Sequence, residues 1–261
     1  MARASAVKMP PEANAAHGCE GARRVLALLL TFSADDNTLT ARQLAERTGI
    51  ALPSVYRYIT LLRETGLMAG DERGSYRLSA RLIGLARAAE AAESIIDVAD
   101  PVMHDLAGRT GETVILVRLI GRSAVCVHRV QSAQQLRISF EAGQPLPLER
   151  GASARLLLAS LAPQVRKEYL APLAERDPEV AALLEKRIIM AGQQGFATSE
   201  EEIHKGVWAA SAQVMQGKRV VAALTVPSPL VRAPAEQRAQ LLSRVRSAAL
   251  QISEGLRPAR R

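Results

Sequence analysis

The sequence predicts an α+β protein with two parts: an N-terminal winged helix-turn-helix and a C-terminal domain built on one central antiparallel sheet. Short amphipathic segments and a glycine-bounded hairpin come before residue 80, which is typical of the first part. Alternating apolar runs joined by tight turns follow residue 112, with helical segments between them. The 261-residue chain is 48% hydrophobic, which is ample for the cores of both parts.

The first two predicted helices precede residue 50. The stretch "ARRVLALLLTFS" places its apolar residues on one helical face, and "TARQLAERTG" begins at Thr40, a good N-cap, and ends at Gly49. In the second helix Leu44 and Ala45 face inwards. A short helix, a turn opened by glycine and a further helix form a helix-turn-helix. The inward residues of the first helix are Val25, Leu28, Leu29 and Phe32.

The third predicted helix, "LPSVYRYITLLRETG" at residues 52–66, has two unlike faces. Helical spacing puts Val55, Ile59 and Leu62 on a buried stripe, with Tyr58 at its margin. The opposite face can donate hydrogen bonds and carries positive charge, which suits phosphates and base edges. A merely solvated helix is the alternative for this segment. This face comprises Pro53, Tyr56, Arg57 and Thr60, with Ser54 on one flank and Arg63 on the other. The predicted DNA contacts among them are Ser54, Tyr56, Arg57 and Thr60.

A hairpin and a further helix follow. Residues 67–69 and 75–78 form two strand-like runs, and Gly70 and Gly74 allow a tight turn between them. Such a wing lies along DNA, so Arg73 at its tip and Arg77 are predicted phosphate contacts. The third helix, at residues 52–66, is the predicted recognition helix. We also assign Arg42 and Gln43, in the helix before it, to the DNA interface. Residues 81–93 then form a linker helix, whose small apolar stripe packs on its own domain or on a second subunit: Leu82, Leu85, Ala86 and Ala89.

The C-terminal part alternates helices and strands. Strands are predicted at 113–120, 123–130, 136–140, 195–199, 207–215 and 219–228, and helices at 97–110, 151–161, 163–173, 178–192 and 234–256. Alternation in "AVCVHRV" places Cys126 and His128 on the same face of a strand. The helix start in "RGASARLL" offers backbone N–H groups and the Ser153 hydroxyl to a carboxylate. Taken alone, however, the segment favours the alternative of a plain serine N-cap without a ligand.

Several functional classes find no support in the sequence. No apolar run reaches the length of a membrane helix, and the N-terminus lacks the apolar segment of a signal peptide, so we expect a cytoplasmic protein without membrane contact. The two cysteines and four histidines are scattered, so neither a metal nor another cofactor is expected. An enzyme using Ser153 or Cys126 as nucleophile would need a histidine and an acid nearby. The net charge of +8 is spread along the chain and locates no site.

Six collinear blocks resemble the IclR (isocitrate lyase regulator) family of bacterial transcription factors. They are "TARQLAERTGIALPSVYRYITLLRETGLM", "GSYRLSARLIGLA", "VADPVMHDLAGRTGETVILV", "GQPLPLERGASARLLLA", "GFATSEEEIHKGV" and "RVVAALTVPSP". The resemblance implies a GAF-like effector-binding domain and a homodimer or homotetramer that binds double-stranded operator DNA and a small organic acid. The implied domains are a disordered lead-in at 1–20, a DNA-binding domain at 21–80, a linker helix at 81–93, an effector-binding domain at 94–256 and a basic tail at 257–261.

The resemblance also implies an effector site and shows where this chain departs from the family. The family commonly has Pro, Lys and Ser where this chain has Ala51, Leu52 and Pro53, and it has Cys and Ser where this chain has Ala209 and Pro227. Losing the last two polar groups favours an aromatic or branched acid over a small oxo-acid such as glyoxylate. The implied effector-binding residues are Ala152, Ser153, Ser199, Glu200, Ala209, Thr225 and Pro227.

An effector-controlled DNA-binding regulator is therefore the function that the sequence favours. A winged-helix module that binds proteins, without an effector, and a small-molecule enzyme are the two alternatives. Salt-dependent binding to operator DNA distinguishes the first function from both others.

Overall fold

The structure is a computed structural model, and it describes residues 19–33, 36–71, 73–91 and 94–256. Contacts divide the chain into two compact units, Met1–Ala92 and Glu93–Arg261. The predicted disordered lead-in lies outside the described residues except for Cys19 and Glu20, and the basic tail at 257–261 lies outside them altogether.

The first unit contains four described helices: α1 (Glu20–Leu29), α2 (Ala41–Thr48), α3 (Leu52–Glu64) and α4 (Arg81–Ala91). The Thr40 hydroxyl accepts the Gln43 N–H, and the Gln43 side chain accepts the Thr40 N–H, so both residues cap the start of α2. Gly49 ends α2 in the left-handed conformation at φ 70°, as predicted. The core of this unit comprises Leu28, Leu39, Ala41, Leu44, Ile50, Val55, Ile59, Leu62 and Met68.

The wing is a three-stranded sheet rather than a simple hairpin. Strands β2 (Met68–Gly70) and β3 (Ser75–Leu78) form the predicted hairpin, and β1 (Leu39–Thr40) pairs with the other edge of β3. No sequence pattern predicts β1, because a two-residue strand has no periodicity and is defined only by its distant partner. In the turn, the Asp71 carboxylate accepts the N–H groups of Arg73 and Ser75 at 2.9 Å each.

Helix α4 follows the wing and presents apolar residues to solvent within its own unit. Ile83 and Leu85 are each 56% exposed, whereas Leu82 is half-buried. The Arg81 guanidinium donates to the Thr65 carbonyl at 2.7 Å, which ties the start of α4 to the end of α3. The described residues of the first unit therefore leave this apolar surface largely uncovered.

The second unit is an antiparallel sheet of six strands in the order β6-β5-β4-β9-β8-β7. Its strands are β4 (Val114–Ile120), β5 (Ser123–Val130), β6 (Pro145–Leu146), β7 (Phe196–Glu200), β8 (Val207–Gln216) and β9 (Arg219–Pro229). Its helices are α5 (Ser94–Thr110), α6 (Ala152–Ala159), α7 (Pro163–Arg176), α8 (Pro178–Gln194) and α9 (Ala235–Gly255), with a 3₁₀ turn at Leu230–Arg232.

Helices cover both faces of this sheet. Helices α5 and α9 pack on one face over residues such as Leu116, Trp208 and Leu224. Helix α6 packs on the other face over Ile115 and Ala223, and α7 and α8 pack behind α6. This arrangement buries α6 almost completely from Ala152 to Leu158.

One predicted strand is wrong. Residues 136–140 form no strand, whereas β6, which was not predicted, pairs with β5 through Ala124 opposite Leu146. Gly143 and Gln144 extend this contact by exchanging backbone hydrogen bonds with Cys126. The edge of β5 is thus already occupied. Residues 136–140 instead bury Phe140 and half-bury Ile138 against the α6 side of the sheet.

The prediction that Cys126 and His128 share a strand face is also wrong. The pairing of β4 with β5 shifts between Leu116 and Val117, whose partners are His128 and Cys126, so Val127 is an inserted residue. Such a bulge reverses the alternation beyond it. Cys126 consequently packs on the α6 side, whereas His128 Nε2 lies 2.7 Å from the Asp100 carboxylate of α5.

Candidate DNA-binding face and effector cavity

Helix α3 separates a buried stripe from an exposed polar face. Val55, Ile59 and Leu62 are buried in the core of the first unit, as the periodicity predicts. Tyr56 is 52% exposed, and Arg57 is exposed beside it. No hydrogen bond or ion pair engages the Arg57 guanidinium within the described part of the chain. Pro53 and Thr60 are also exposed on this face, and Ser54 is half-buried.

The other predicted DNA contacts differ in how freely they can act. Arg42 and Arg73 are exposed, and among the described residues neither guanidinium has a partner. The backbone of Arg73 is held by Asp71, so the wing turn presents its side chain from a fixed position. The Gln43 amide oxygen accepts from both the backbone N–H and the hydroxyl of Thr40, at 2.8 and 3.1 Å. The Gln43 oxygen therefore caps α2, and only its NH₂ group is available to donate a hydrogen bond to DNA.

Six of the seven residues assigned to the effector site line one cavity in the second unit. The cavity lies between the start of α6 and the strands β4, β7, β8 and β9, and it has a volume of about 30 Å³. We call it the effector cavity. The six residues are Ala152, Ser153, Ser199, Ala209, Thr225 and Pro227.

Glu200, the seventh, does not line the effector cavity. Its carboxylate accepts two hydrogen bonds from the Arg238 guanidinium, at 2.8 and 3.2 Å. Arg238 in turn lies over the Trp208 ring, 5.6 Å from its centroid, and Trp208 is buried against the α9 side of the sheet. Alternation along β7 and β8 thus turns Glu200 and Trp208 towards α9, away from the cavity.

Seven lining residues were not foreseen. Four are apolar residues of strands or loops. In the sequence, an apolar residue that lines a cavity cannot be distinguished from one that is buried in the core. Three belong to the segment after β7, where "EEEIHK" looks like a solvated loop and only the fold shows which side chain turns inwards. The seven are Ile115, Phe140, Leu146, Glu202, Ile203, His204 and Val207.

The start of α6 borders the cavity through Ala152 and Ser153. Gly151 precedes the helix at φ 94°, a conformation that favours glycine, and no side chain caps the helix. The first N–H groups of a helix have no partner within it. Ser153 is 5% exposed, and its hydroxyl has no hydrogen-bond partner among the described residues. The α6 start therefore presents hydrogen-bond donors to the cavity.

A carboxylate of the protein itself reaches this helix start. Glu202 Oε2 accepts the Gly151 N–H at 2.8 Å, and both Glu202 oxygens lie 2.8 Å from Nη1 of Arg155. Arg155 is buried, and its other terminal nitrogen donates to the Thr198 carbonyl. A buried guanidinium in contact with a carboxylate satisfies both charges.

The alternative of a catalytic nucleophile is not supported by the geometry. Desolvation by burial raises the pKa of Cys126 to about 11, so its thiol stays protonated near neutral pH. The Ser153 hydroxyl has no histidine hydrogen-bonded to it. In the described part of the chain, no cluster of three or more His, Cys, Asp or Glu side chains could hold a metal ion. No described helix is long and apolar enough to span a bilayer.

Two family models match successive parts of the chain. The IclR helix-turn-helix domain family matches residues 21–72, and the bacterial transcriptional regulator IclR C-terminal family matches residues 88–254. The HTH-type transcriptional regulator KipR of Bacillus subtilis is 28% identical over 234 residues, which cover 86% of this chain and 92% of KipR. The HTH-type transcriptional regulator Rv1719 of Mycobacterium tuberculosis is 30% identical over 221 residues, which cover 82% and 84%.

A solved structure shows the same fold. The crystal structure of an IclR family transcriptional regulator from Brucella abortus superposes with a TM-score of 0.76 at 25% identity, covering 90% of this chain and 92% of that one. The winged helix-turn-helix, the antiparallel sheet and the two family matches agree with one another. The chain therefore belongs to the IclR family of bacterial transcriptional regulators, and it is a regulator with a helix-turn-helix DNA-binding domain rather than an enzyme.

Proposed function

We propose that this regulator is controlled by a small organic acid with an apolar, aromatic or branched body, bound in the effector cavity. The observation that carries the proposal is the pairing of hydrogen-bond donors at the α6 start with an otherwise mostly apolar wall. Binding sites for small ligands commonly combine apolar walls with a few polar groups that fix orientation. The unpartnered Ser153 hydroxyl is one such group.

The acid group of the effector is assigned to the α6 start. The N–H groups of Ala152 and Ser153 belong to the first turn, where the helix dipole adds partial positive charge. The Ser153 hydroxyl supplies a further donor. This combination favours a carboxylate over a neutral or cationic group.

The body of the effector is assigned to the apolar wall. Ala209 and Pro227 offer no side-chain hydrogen bond, so a second polar end of a ligand would lose its hydration without replacement. The Thr225 hydroxyl already shares a hydrogen bond of 2.7 Å with Ser211. Since a cavity of 30 Å³ holds only a few water-sized groups, a benzoate-sized acid would enter by moving the wall formed by Ile203 and His204.

The regulator is proposed to bind its operator through the exposed face of α3, with Arg73 of the wing on the phosphate backbone. Exposed Ile83 and Leu85 on α4 support a homodimer or homotetramer, since an apolar helix face of this kind gains stability when a second copy covers it. A dimer would match the two half-sites of a palindromic operator. Because its DNA partner lies in the bacterial cytoplasm, we place the protein there.

Calorimetric titration of the full chain with glyoxylate, pyruvate and benzoate tests the effector class. Benzoate is expected to bind. Glyoxylate is expected to bind weakly, because Ala209 and Pro227 offer no hydrogen bond to its second polar group. Tight binding of glyoxylate with no response to benzoate would reject the proposal.

A charge inserted at the helix start locates the acid group. Ser153→Glu should abolish benzoate binding, because its carboxylate would repel that of the ligand. Ser123→Glu is the matched control, since Ser123 is exposed on β5 outside the lining of the cavity. Undiminished binding by the Ser153 variant would show that the acid group lies elsewhere.

A further inference from the structure

The α6 start is already occupied by one carboxylate. Glu202 accepts hydrogen bonds from the Gly151 N–H and from the Arg155 guanidinium, at 2.8 Å each. In the absence of Glu202, these two donors would be available to the carboxylate of an acid ligand. Arg155 itself does not line the effector cavity, and Glu202 does. An incoming acid therefore meets Glu202 before it can reach Arg155.

The positive charge buried at the α6 start balances one carboxylate. Arg155 is the buried cation there, and its ion pair with Glu202 leaves their side chains 6% and 23% exposed. Arg187 of α8 lies farther away, 3.9 Å from Glu202 Oε1, and its side chain is 53% exposed. A second carboxylate brought to the α6 start would therefore face Glu202 as a like charge in a poorly hydrated space.

Glu202 belongs to a short loop, residues 201–207, whose two ends are joined by hydrogen bonds and which packs against the start of α6. At its base, Glu201 donates its N–H to the Val207 carbonyl at 2.7 Å, and its carboxylate accepts the Gly206 N–H at 2.6 Å. Glu201 has φ 54°, an uncommon conformation for a residue other than glycine. Next to Glu202, the Ile203 side chain packs so close to Gly151 that an added Cβ there would lie 2.7 Å from Ile203 Cδ1.

We propose that Glu202 is an internal competitor of the effector. The effector carboxylate replaces that of Glu202 on the Gly151 N–H and on Arg155, and Glu202 turns out towards Arg187 and water. Because Ile203 and His204 follow Glu202 in the same segment, this exchange moves the cavity wall outwards and makes room for the ligand body. Arg155 thereby becomes the cation that selects acids over their neutral analogues.

The proposal rests on the acid effector proposed above, and Glu202→Gln tests it in the full chain. The glutamine side-chain oxygen can still accept from Gly151 and Arg155, so these hydrogen bonds remain while the competing charge is removed. Because buried Arg155 loses its counter-charge, the variant should melt at a lower temperature than the parent. Benzoate should bind this variant at least about tenfold more tightly than the parent, because one like-charge contact is gone. Benzamide, which is neutral, should not gain affinity. Glu149→Gln is the matched control, since Glu149 is paired with Arg176 at 2.8 Å just before α6, outside the lining of the cavity.

Calorimetry and thermal melting together separate the outcomes. Equal or weaker benzoate binding by a Glu202→Gln variant that thermal melting shows to be folded at the titration temperature would overturn the competition while leaving the acid effector intact. An equal gain in the Glu149→Gln variant would assign the effect to overall charge and would also overturn it. If benzoate binds neither the parent nor the variant, the aromatic-acid effector fails, and the competition fails with it.

Discussion

Arg232 and Glu112 form a two-point ion pair that ties the turn before α9 to the start of β4. Arg232 Nε and Nη2 each donate to a different oxygen of Glu112, both at 2.7 Å. Glu112 is only 3% exposed and also accepts the Ser228 hydroxyl at 2.8 Å. The hydrogen bond to Glu112 raises the pKa of Arg232, so this guanidinium stays charged at any physiological pH.

Arg232→Ala should lower the free energy of unfolding of the second unit by about 2–3 kcal/mol, because it leaves a buried carboxylate without its cation. The value falls short of that for a fully buried pair, since Arg232 is partly exposed. Urea denaturation followed by circular dichroism measures it. Arg109→Ala, which breaks the exposed pair with Asp105, should cost no more than about 0.5 kcal/mol. Equal losses in the two variants would contradict this assignment.

Arg57→Ala should weaken specific operator binding by about 1–3 kcal/mol if the guanidinium pairs with a base edge. Stability should hardly change, because Arg57 is exposed and makes no bond in the described structure. Fluorescence anisotropy with operator and unrelated DNA, at several salt concentrations, measures the affinity. Arg24→Ala, on α1 and paired with Glu20, is the control for loss of one positive charge. A folded Arg57 variant with unaltered operator affinity would refute the contact.

Ile59→Ala should destabilise the first unit by about 2–5 kcal/mol, because it opens a cavity beneath the recognition helix. Ile59 is buried between Val55 and Leu62 on the inner face of α3. Thermal melting of the full chain measures the loss, and Leu61→Ala at an exposed position of the same helix is the control. Were the Ile59 variant to melt like the parent yet fail to bind DNA, the two faces of α3 would be reversed.

Cys126 should resist alkylation in the native protein. Its pKa of about 11 leaves almost no thiolate at pH 8, whereas Cys19 is exposed. Treatment with iodoacetamide followed by mass spectrometry should show one label per native chain and two after unfolding in urea. Rapid native labelling of Cys126 would mean that its side of the sheet opens readily.

The same thiol makes stability fall with pH above about 9. Below that value the thiol is protonated in both the folded and the unfolded chain, so its contribution is constant. Between pH 9 and 11 the unfolded chain loses the proton while the folded chain keeps it, and unfolding becomes more favourable. Cys126→Ser should weaken this dependence, which urea titrations at pH 8 and 10 would detect.

The sequence by itself determined the features that depend on neighbouring residues. The helical stripe of Val55, Ile59 and Leu62, the cap at Thr40 and the end of α2 at Gly49 all follow from side-chain spacing and local backbone preference. The resemblance to a known family supplied seven candidate effector positions, and six of these residues line one cavity. The resemblance could not indicate which hydrogen bonds and ion pairs each of these residues makes.

The tertiary structure alone decided the features that depend on distant partners. Residues 136–140 look like a strand, but the β5 edge that they would need is occupied by the residues around Leu146. An inserted Val127 separates Cys126 from His128, which depends on the register with β4. Glu200 and Glu202 are equivalent by sequence, yet one binds Arg238 and the other the α6 start. Burial and hydrogen bonding across the fold decide between such residues, because their own spacing leaves either arrangement open.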